Sequence, residues 1–371
     1  MKTISLLFVS ALFTSGQPAP SPDFPIDAAT RSRVVMKAAD NVERYYYNEA
    51  LGKQMAASLR TKQAAGGYDR LNSGHTLASE LQADLRAVSR DGHLAVFASA
   101  IPLPTFDLNQ PPPPPTAEQI QQHKALMQKV NGFVTDAVWL PGNVGYLSLD
   151  AFADPDVMKQ QLAHAMNLLA NTDAMIIDMR TNKGGSPSGV AALASYFFDE
   201  APVHLNDILS PRDNGKVEFW TERELPGARY GTSRPVYVLT AKATFSAAEE
   251  LAYDLQALKR ATVVGEQTGG GANPAGGVPI DQNFGMAIPR STARNPYTGM
   301  NWEGVGVTPD VKVDAMSAKD AAYLMALLQL RERSMLPPFV RDQIQNAITR
   351  LLSKLGTNAL SAVQEAQAAR R

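Results

Sequence analysis

A single serine stands where an apolar, strand-like run passes into a helical one. The stretch VYVLTAKATFSAAEELAYDL, residues 236–255, carries Ser246 at this joint and Glu249 three residues later. This Ser-x-x-Glu spacing is typical of a capping box, and a serine cap is worth about 1 kcal/mol over alanine. A hydroxyl at a helix N-terminus could also act as a nucleophile, because the backbone N–H groups there stabilise an anion. The stretch alone leaves both roles open.

A glycine pair marks a second joint between a strand-like run and a helix. The stretch IIDMRTNKGGSPSG, residues 176–189, contains Gly184 and Gly185, which permit positive φ or close approach of the backbone to another group. An ordinary tight turn is one interpretation. A phosphate cradle is another, but neither the Walker A nor the G-x-G-x-x-G pattern is present. We favour an oxyanion hole in which Gly184 or Gly185 supplies one N–H and Ala247 the other.

A serine nucleophile needs a general base, and the chain has only five histidines. His93, in SRDGHLAV, has the best local setting, between a predicted helix and a predicted strand, although spacing cannot place it beside Ser246. Glu303, in NWEGVGVTPDV, could orient the histidine, but in isolation a glutamate in a surface turn is the favoured interpretation. The remaining histidines fall in a loop, in two predicted helices and in a predicted strand: His75, His123, His164 and His204.

The elements that must position these residues follow from hydrophobic periodicity. Residues 28–88 show helical spacing with a break at Gly66-Gly67 and predict a bundle of about three helices. A short strand-like run follows at 93–99. From about residue 138 strands and helices alternate, which predicts an α/β layer fold with parallel strands. Residues 278–289 suggest a hairpin, and helices from about Ala318 complete the chain.

Composition excludes several classes of site. The 371 residues have a formal net charge of −1 and no cysteine, so disulfides, thiol nucleophiles and cysteine metal sites are ruled out. No basic field or motif indicates nucleic acid. No metal site is expected, because the histidines have no partner at ligand spacing. Residues 1–19, with one lysine before an apolar run, predict a signal peptide and hence a secreted or periplasmic protein without a membrane span. Five consecutive prolines between 101 and 116 predict an extended spacer.

Four segments in this order resemble one known family. IIDMRTNKGG, TFSAAEELAYDL, ATVVGEQTGGGANP and NPYTGMNWEGVGVTPDV are similar to the tail-specific (C-terminal-processing) serine peptidases. The branch they resemble most is that of interphotoreceptor retinoid-binding protein and the tricorn protease core, and RDGHLAV after a helical bundle fits it too. The resemblance covers about residues 30 to 315.

The resemblance implies a fold and a set of site residues. The fold is a ClpP/crotonase-like α/β core with an N-terminal helical bundle and C-terminal helices. Ser246 matches the nucleophile, His93 the base and Glu303 the glutamate of the E-G-x-G-V-x-P-D motif. The matching oxyanion donors are Gly184, Gly185 and Ala247. The predicted segments are 1–19 signal peptide, 22–100 bundle, 101–131 spacer and helix, 132–315 peptidase core and 316–371 C-terminal helices.

This chain departs from the processing proteases in two respects. About 40 residues separate the bundle from the core, too few for the PDZ domain that those proteases carry there. Their general base is a lysine in GE-x-T-x-G-K, whereas this chain reads GEQTGGG, with Gly271 at that position. Gly92, before His93, stands where tricorn-like enzymes have a serine. A histidine base and a three-residue relay are therefore expected.

These observations predict a secreted or periplasmic serine endopeptidase without a cofactor. It would act on peptides or unfolded proteins through an acyl-enzyme intermediate. The alternative is a non-catalytic protein that binds small apolar ligands, as the retinoid-binding relatives do. A crotonase-type acyl-CoA enzyme is a third possibility, which the serine motif and the predicted signal peptide disfavour. The sequence leaves the oligomeric state open.

Overall fold

The computed structural model describes residues 22–104, 108, 114–332 and 336–369. The predicted signal peptide and residues 105–107 and 109–113 of the predicted spacer lie outside these residues. The described chain divides into two compact units. The first contains the chain up to Pro115 together with Ile208–Val217 and Asn273–Ala293, and the second contains Thr116–Asp207, Glu218–Ala272 and the chain from Arg294 onward.

Helices and strands in the described residues follow the predicted order. The helices are α1 Ala28–Tyr45, α2 Glu49–Ala64, α3 Gly74–Ser89, α4 Ala117–Lys129, α5 Pro155–Leu169, α6 Pro187–Ala194, α7 Ala247–Ala257, α8 Ala315–Arg331, α9 Pro338–Lys354 and α10 Thr357–Ala368. The strands are β1 Ala95–Ala98, β2 Val134–Leu140, β3 Val144–Leu149, β4 Ala174–Asp178, β5 His204–Ser210, β6 Gly215–Trp220, β7 Val236–Thr240, β8 Thr262–Gly265, β9 Ala275–Pro279, β10 Phe284–Pro289, β11 Thr292–Arg294 and β12 Val311–Lys312.

The first unit is a three-helix bundle packed on a small antiparallel sheet. Helix α1 begins at the Asp27 cap, whose carboxylate accepts the Thr30 N–H at 2.7 Å. Strand β10 pairs with both β1 and β9, so the predicted hairpin joins the bundle although its residues lie within the segment assigned to the core. The reason is hydrophobic burial, since Phe284 and Met286 of β10 lie in one core with apolar residues of α1, α2 and α3.

The second unit is built on a six-stranded sheet of order β12-β8-β7-β4-β3-β2. All pairs are parallel except β2–β3. Strands β3, β4 and β7 are buried along their whole length, as expected for parallel strands covered on both faces. Helices α8, α9 and α10 share one hydrophobic core with this sheet. The α/β class, the N-terminal helices and the C-terminal helices are thereby confirmed.

The topology places two loops at the same edge of the sheet. Strands β4 and β7 are parallel neighbours, with Asp178 paired to Leu239 at their carboxyl ends. The loop after β4 carries the glycine pair and leads into α6, and the loop after β7 carries Ser246 and leads into α7. In open parallel sheets this edge is where ligands bind.

A third sheet, of order β11-β5-β6, contains β6, which hydrophobic periodicity did not predict. None of the described helices is long and apolar enough to cross a bilayer.

Candidate active site

Ser246 occupies a strained backbone position at the turn from β7 into α7. Its φ of 57° and ψ of −127° lie where residues with a Cβ rarely occur. The turn is held by Thr244, whose hydroxyl donates to the Met179 carbonyl at 2.8 Å and accepts the Ala241 N–H at 2.9 Å. The Phe245 N–H donates to the Asn182 carbonyl at 3.2 Å. The loop after β4 therefore fixes the conformation that presents the serine.

Gly184 lies directly against Ser246. A Cβ added to Gly184, whose φ is 105°, would lie 2.6 Å from the Ser246 Cβ and 2.9 Å from the Ala247 nitrogen. Its neighbour Gly185, with φ of 136°, would place a Cβ 2.1 Å from the Phe152 carbonyl oxygen. Both glycines are thus required by positive φ and by close approach of the backbone, and the tight-turn and close-approach interpretations apply together.

We expect Gly184→Ala to reduce peptidase activity by about a hundredfold or more, because the added methyl group displaces Ser246 and small displacements of reacting groups are costly. The measurement is kcat/KM on a peptide substrate together with a thermal melt. Gly356→Ala is the matched control, since its φ is −68° and no atom lies within 4 Å of the added carbon. Normal turnover by a folded Gly184→Ala variant would show that the contact does not position the serine.

The backbone of the glycine pair and of the start of α7 lies beside the serine. The Gly184 N–H donates to Asn182 Oδ1 at 2.8 Å, so this amide is already engaged. Among the described residues, the N–H groups of Gly185 and Ala247 have no hydrogen-bond acceptor. Ala247 is the first residue of α7, where the N–H groups face outward and the helix dipole is positive.

Glu249 is fully buried and anchors the serine turn to a neighbouring loop. Its carboxylate accepts the Ser246 N–H at 2.8 Å, the Gly270 N–H at 2.7 Å and the Gly271 N–H at 2.8 Å, and the Thr268 hydroxyl also donates to it. Burial raises the pKa of Glu249 above its usual value, and these hydrogen bonds oppose the rise. The Ser-x-x-Glu spacing predicted a cap, and this bond to the Ser246 N–H is half of a capping box. The link to the 268–271 loop had no signal in the sequence.

Glu303 lies on the loop that packs on this glycine-rich segment. Its Oε2 accepts the Ala272 N–H at 2.6 Å. Next to it, the Trp302 indole N–H donates to the Gly271 carbonyl at 2.7 Å, and the Gly304 N–H donates to the Gly270 carbonyl at 3.0 Å. Ser246 and Glu303 thus both connect to this loop of the second unit, Ser246 through Glu249 and Glu303 through its own carboxylate. Gly271, the position of lysine in the related motif, donates its N–H to Glu249.

His93 belongs to the first unit and is held by a buried aspartate. The backbone N–H of His93 donates to Asp91 Oδ1 at 2.9 Å. Asp91 Oδ2 accepts from the Tyr46 hydroxyl and the Asn273 side-chain amide, each at 2.9 Å. Burial, with a smaller contribution from the Arg86 charge, lowers the pKa of His93 to about 4, although the Asp91 carboxylate opposes the shift. A neutral imidazole at neutral pH is the form that a general base requires.

Three of the remaining histidines lie in the predicted kind of element, but His75, predicted in a loop, is the second residue of α3, because the Ser73 cap starts the helix before it. His123 and His164 lie on α4 and α5, and His204 lies on β5. His204 Nε2 is 2.8 Å from Asp207 Oδ1, its ring stacks on Trp220 with the centroids 4.3 Å apart, and Glu218 lies close enough for the three to share an ion. The sequence did not predict this cluster of three residues, because Glu218 lies on the neighbouring strand β6 and not at ligand spacing from His204 in the chain. The His204–Asp207 contact by itself is a local side-chain hydrogen bond within β5.

Comparisons with known proteins match both parts of the chain. The model of peptidase family S41 matches residues 143–313, and the model of the N-terminal domain of Peptidase_S41 in eukaryotic IRBP matches residues 28–134. The chloroplastic carboxyl-terminal-processing peptidase 2 of Arabidopsis thaliana is 30% identical over 192 residues, covering 49% of this chain and 35% of that protein. The carboxy-terminal-processing protease of Bartonella bacilliformis is 25% identical over 183 residues, covering 47% and 39%.

Solved structures share the fold at low sequence identity. Mature CPAF has a TM-score of 0.55 and 12% identity, covering 89% of this chain and 99% of its own. A putative peptidase from Parabacteroides merdae has a TM-score of 0.52 and 20% identity, covering 88% and 98%. The chain spans less than two fifths of the length of the two processing proteases above. The serine turn and the glycine loop both lie in the segment that the family S41 model matches. Because the two family models match residues 28–134 and 143–313, the chain belongs to peptidase family S41.

Proposed function

We propose that this protein is a serine peptidase that cleaves peptides or unfolded proteins through an acyl-enzyme. Ser246 is the nucleophile, and the observation that carries the proposal is its backbone at φ 57° with Gly184 and the first N–H of α7 beside it. Family membership supports the reaction class, and the processing proteases to which the chain is similar are peptidases by name.

The proposed steps use groups of this chain alone. His93 removes the Ser246 hydroxyl proton as the oxygen attacks the scissile carbonyl carbon, and Glu303 stabilises the resulting imidazolium. The N–H groups of Gly185 and Ala247 hold the oxyanion, while Gly184 allows the close approach and its own N–H stays with Asn182. His93 then protonates the leaving amine, and a water molecule activated by His93 hydrolyses the ester. We also propose, from the sequence alone, that the signal peptide and the domains have the bounds given above. Export from the cytosol is part of the same proposal.

Covalent labelling separates this proposal from a binding protein for small apolar ligands. We expect an organophosphonate probe to label the wild-type protein at Ser246, with the modified peptide identified by mass spectrometry. Labelling should disappear in Ser246→Ala and persist in Ser73→Ala, because Ser73 is a helix cap whose hydroxyl accepts the Thr76 N–H at 3.2 Å. A folded wild-type protein that neither reacts with the probe nor hydrolyses peptides would favour the binding function.

A further inference from the structure

Two carboxyl groups are buried on helix α7, which follows the serine turn. We propose that Glu250 and Asp254 form a carboxylic-acid pair that keeps at least one proton at neutral pH and positions α7 against the loop carrying Glu303. Only the expected effect on catalysis rests on the proposed function. The proton-holding pair itself is a property of the fold and can be tested without a substrate.

The pair is enclosed by polar side chains that are themselves buried. Glu250 is 4% exposed, and Asp254, Asn206 and Asn295 are 0% exposed. Glu250 and Asp254 are four residues apart, so their side chains lie on the same face of α7. Asn295 Nδ2 donates to Asp254 Oδ1 at 3.0 Å, and the Asn206 side chain lies beside Glu250 with both of its polar atoms lacking a hydrogen-bond partner among the described residues. Among the described residues, Asp254 Oδ2 has no hydrogen-bond partner.

None of the described elements packed on α7 brings a cation to this pair. Helix α6 and strand β8 contact α7 and contain no titratable side chain. On β5, His204 and Asp207 pair with each other at 2.8 Å. Arg260, which follows α7, donates to the Phe197 and Gly231 carbonyls, each at 2.6 Å.

The other titratable groups of α7 and its loop are also engaged elsewhere or exposed. On α7, Glu249 accepts from the serine turn and from the 268–271 loop, and the Tyr253 hydroxyl bonds to Thr298 at 3.0 Å. On the loop, Arg294 and Tyr297 are exposed. The field that acts on Asp254 is therefore that of Glu250, a like charge.

Two ionised carboxylates cannot share such a site. Removing a carboxylate from water without a compensating cation costs several kcal/mol, and a second negative charge nearby adds to that cost. Burial raises the pKa of Glu250 to about 7. Burial and the Glu250 charge raise the pKa of Asp254 well above its usual value. Because the groups interact, the titration belongs to the pair and not to either residue alone.

The orientation of Asn295 favours a proton over a metal ion. Its amide presents an N–H to Asp254, and its Oδ1 accepts the N–H groups of Tyr297 and Thr298 at 3.0 and 3.1 Å. A hard cation bound between the carboxylates would require oxygen atoms on that side. A proton on the carboxyl pair needs no further ligand.

Asn295 also connects the pair to the proposed catalytic loop. The backbone N–H of Asn295 donates to the Met300 carbonyl at 2.9 Å, and the backbone carbonyl of Asn295 accepts the Gly299 N–H at 2.9 Å. These two bonds close the turn that precedes Trp302 and Glu303. At the other end, the Glu250 N–H donates to the Ser246 carbonyl at 3.0 Å. The pair therefore joins the start of the nucleophile helix to the turn before Glu303.

The test compares Glu250→Gln and Asp254→Asn, two neutral isosteres, with Glu365→Gln on the exposed face of α10. Thermal unfolding is followed between pH 5 and pH 9. A carboxyl whose pKa is raised on folding stabilises the protein fully below its unfolded pKa of ~4.3 and loses that contribution as pH rises through its folded value. We expect the unfolding midpoint of Glu250→Gln to fall less steeply than that of wild type as pH rises. At pH 8 the midpoint of the variant should lie at least about 3 °C above that of wild type. Glu365→Gln should follow wild type.

Three outcomes would overturn the inference. The first is an unchanged pH dependence of unfolding in both isosteric variants, and the second is a lower midpoint than wild type in both at pH 8. The third is a midpoint that Ca²⁺ or Mg²⁺ raises in wild type but not in Glu250→Gln, which would reveal a cation site. For positioning, we expect the alkaline decline of kcat/KM in wild type to move to higher pH in Glu250→Gln. Identical alkaline limbs would remove the positioning role, and an unreactive Ser246 would remove only the proposed function.

Discussion

Replacing Ser246 with alanine is expected to lower kcat by about a million-fold while the protein stays folded, since removal of a serine nucleophile has effects of that order. The hydroxyl is the attacking group, and the other hydroxyl of the turn, that of Thr244, is bonded to the Met179 carbonyl and the Ala241 N–H. Stability should fall by no more than about 1 kcal/mol, the value of a helix cap, against a total of about 5–15 kcal/mol. Glu249 accepts the backbone N–H of residue 246, and alanine retains that bond.

The measurement is peptide hydrolysis together with circular dichroism and a thermal melt. Ser73→Ala provides the matched control, because it removes a cap of the same kind from α3. This control should lose a similar amount of stability and retain full activity. Full hydrolysis by a natively folded Ser246→Ala protein would disprove the nucleophile assignment, and loss of activity in both variants would point to a stability effect.

The second large effect is expected for His93→Gln, which should reduce kcat/KM by roughly a hundred- to ten-thousandfold, the usual range for general-base catalysis. The base acts in its neutral form, so activity is lost as pH falls through its pKa. An unperturbed histidine titrates near pH ~6.5. Burial and Arg86 lower the pKa of His93 to about 4, so we expect the acidic limb of wild-type kcat/KM to lie below the usual histidine value.

Lysine variants distinguish a histidine base from a displaced Ser-Lys dyad. Lys242 and Lys259 are the lysines nearest to Ser246 in sequence, Lys183 precedes the glycine pair, and all three are exposed. Changing each to methionine should have little effect, as should His123→Gln on the exposed surface of α4. If His93→Gln retained nearly normal turnover while a lysine variant lost it, the base would be that lysine.

Local patterns in the sequence predicted most of the elements, because hydrophobic periodicity and caps act over a few residues. The bundle helices, the parallel core strands and the hairpin at 278–289 lie where these patterns placed them. The order of four motifs was sufficient to predict the family, which the comparisons confirm. The assignment of Ser246, His93, Glu303 and the oxyanion donors remains a prediction for the experiments above.

Long-range contacts decided what local patterns could not. Pairing of β10 with β1 joins residues about 190 positions apart and places the hairpin in the first unit, since its apolar face is buried only there. Contact of Gly184 with Ser246 requires that β4 and β7 be neighbours.

The sequence by itself determined that a serine stands at a strand-to-helix joint with a glutamate three residues later, because both features are local in the chain. Only the tertiary structure decided what the acidic residues of α7 do. Glu249 accepts hydrogen bonds from a loop about 20 residues away, whereas Glu250 and Asp254 are enclosed without a cation among the described residues. The charge state of a carboxyl group depends on the water, dipoles and charges that folding places around it.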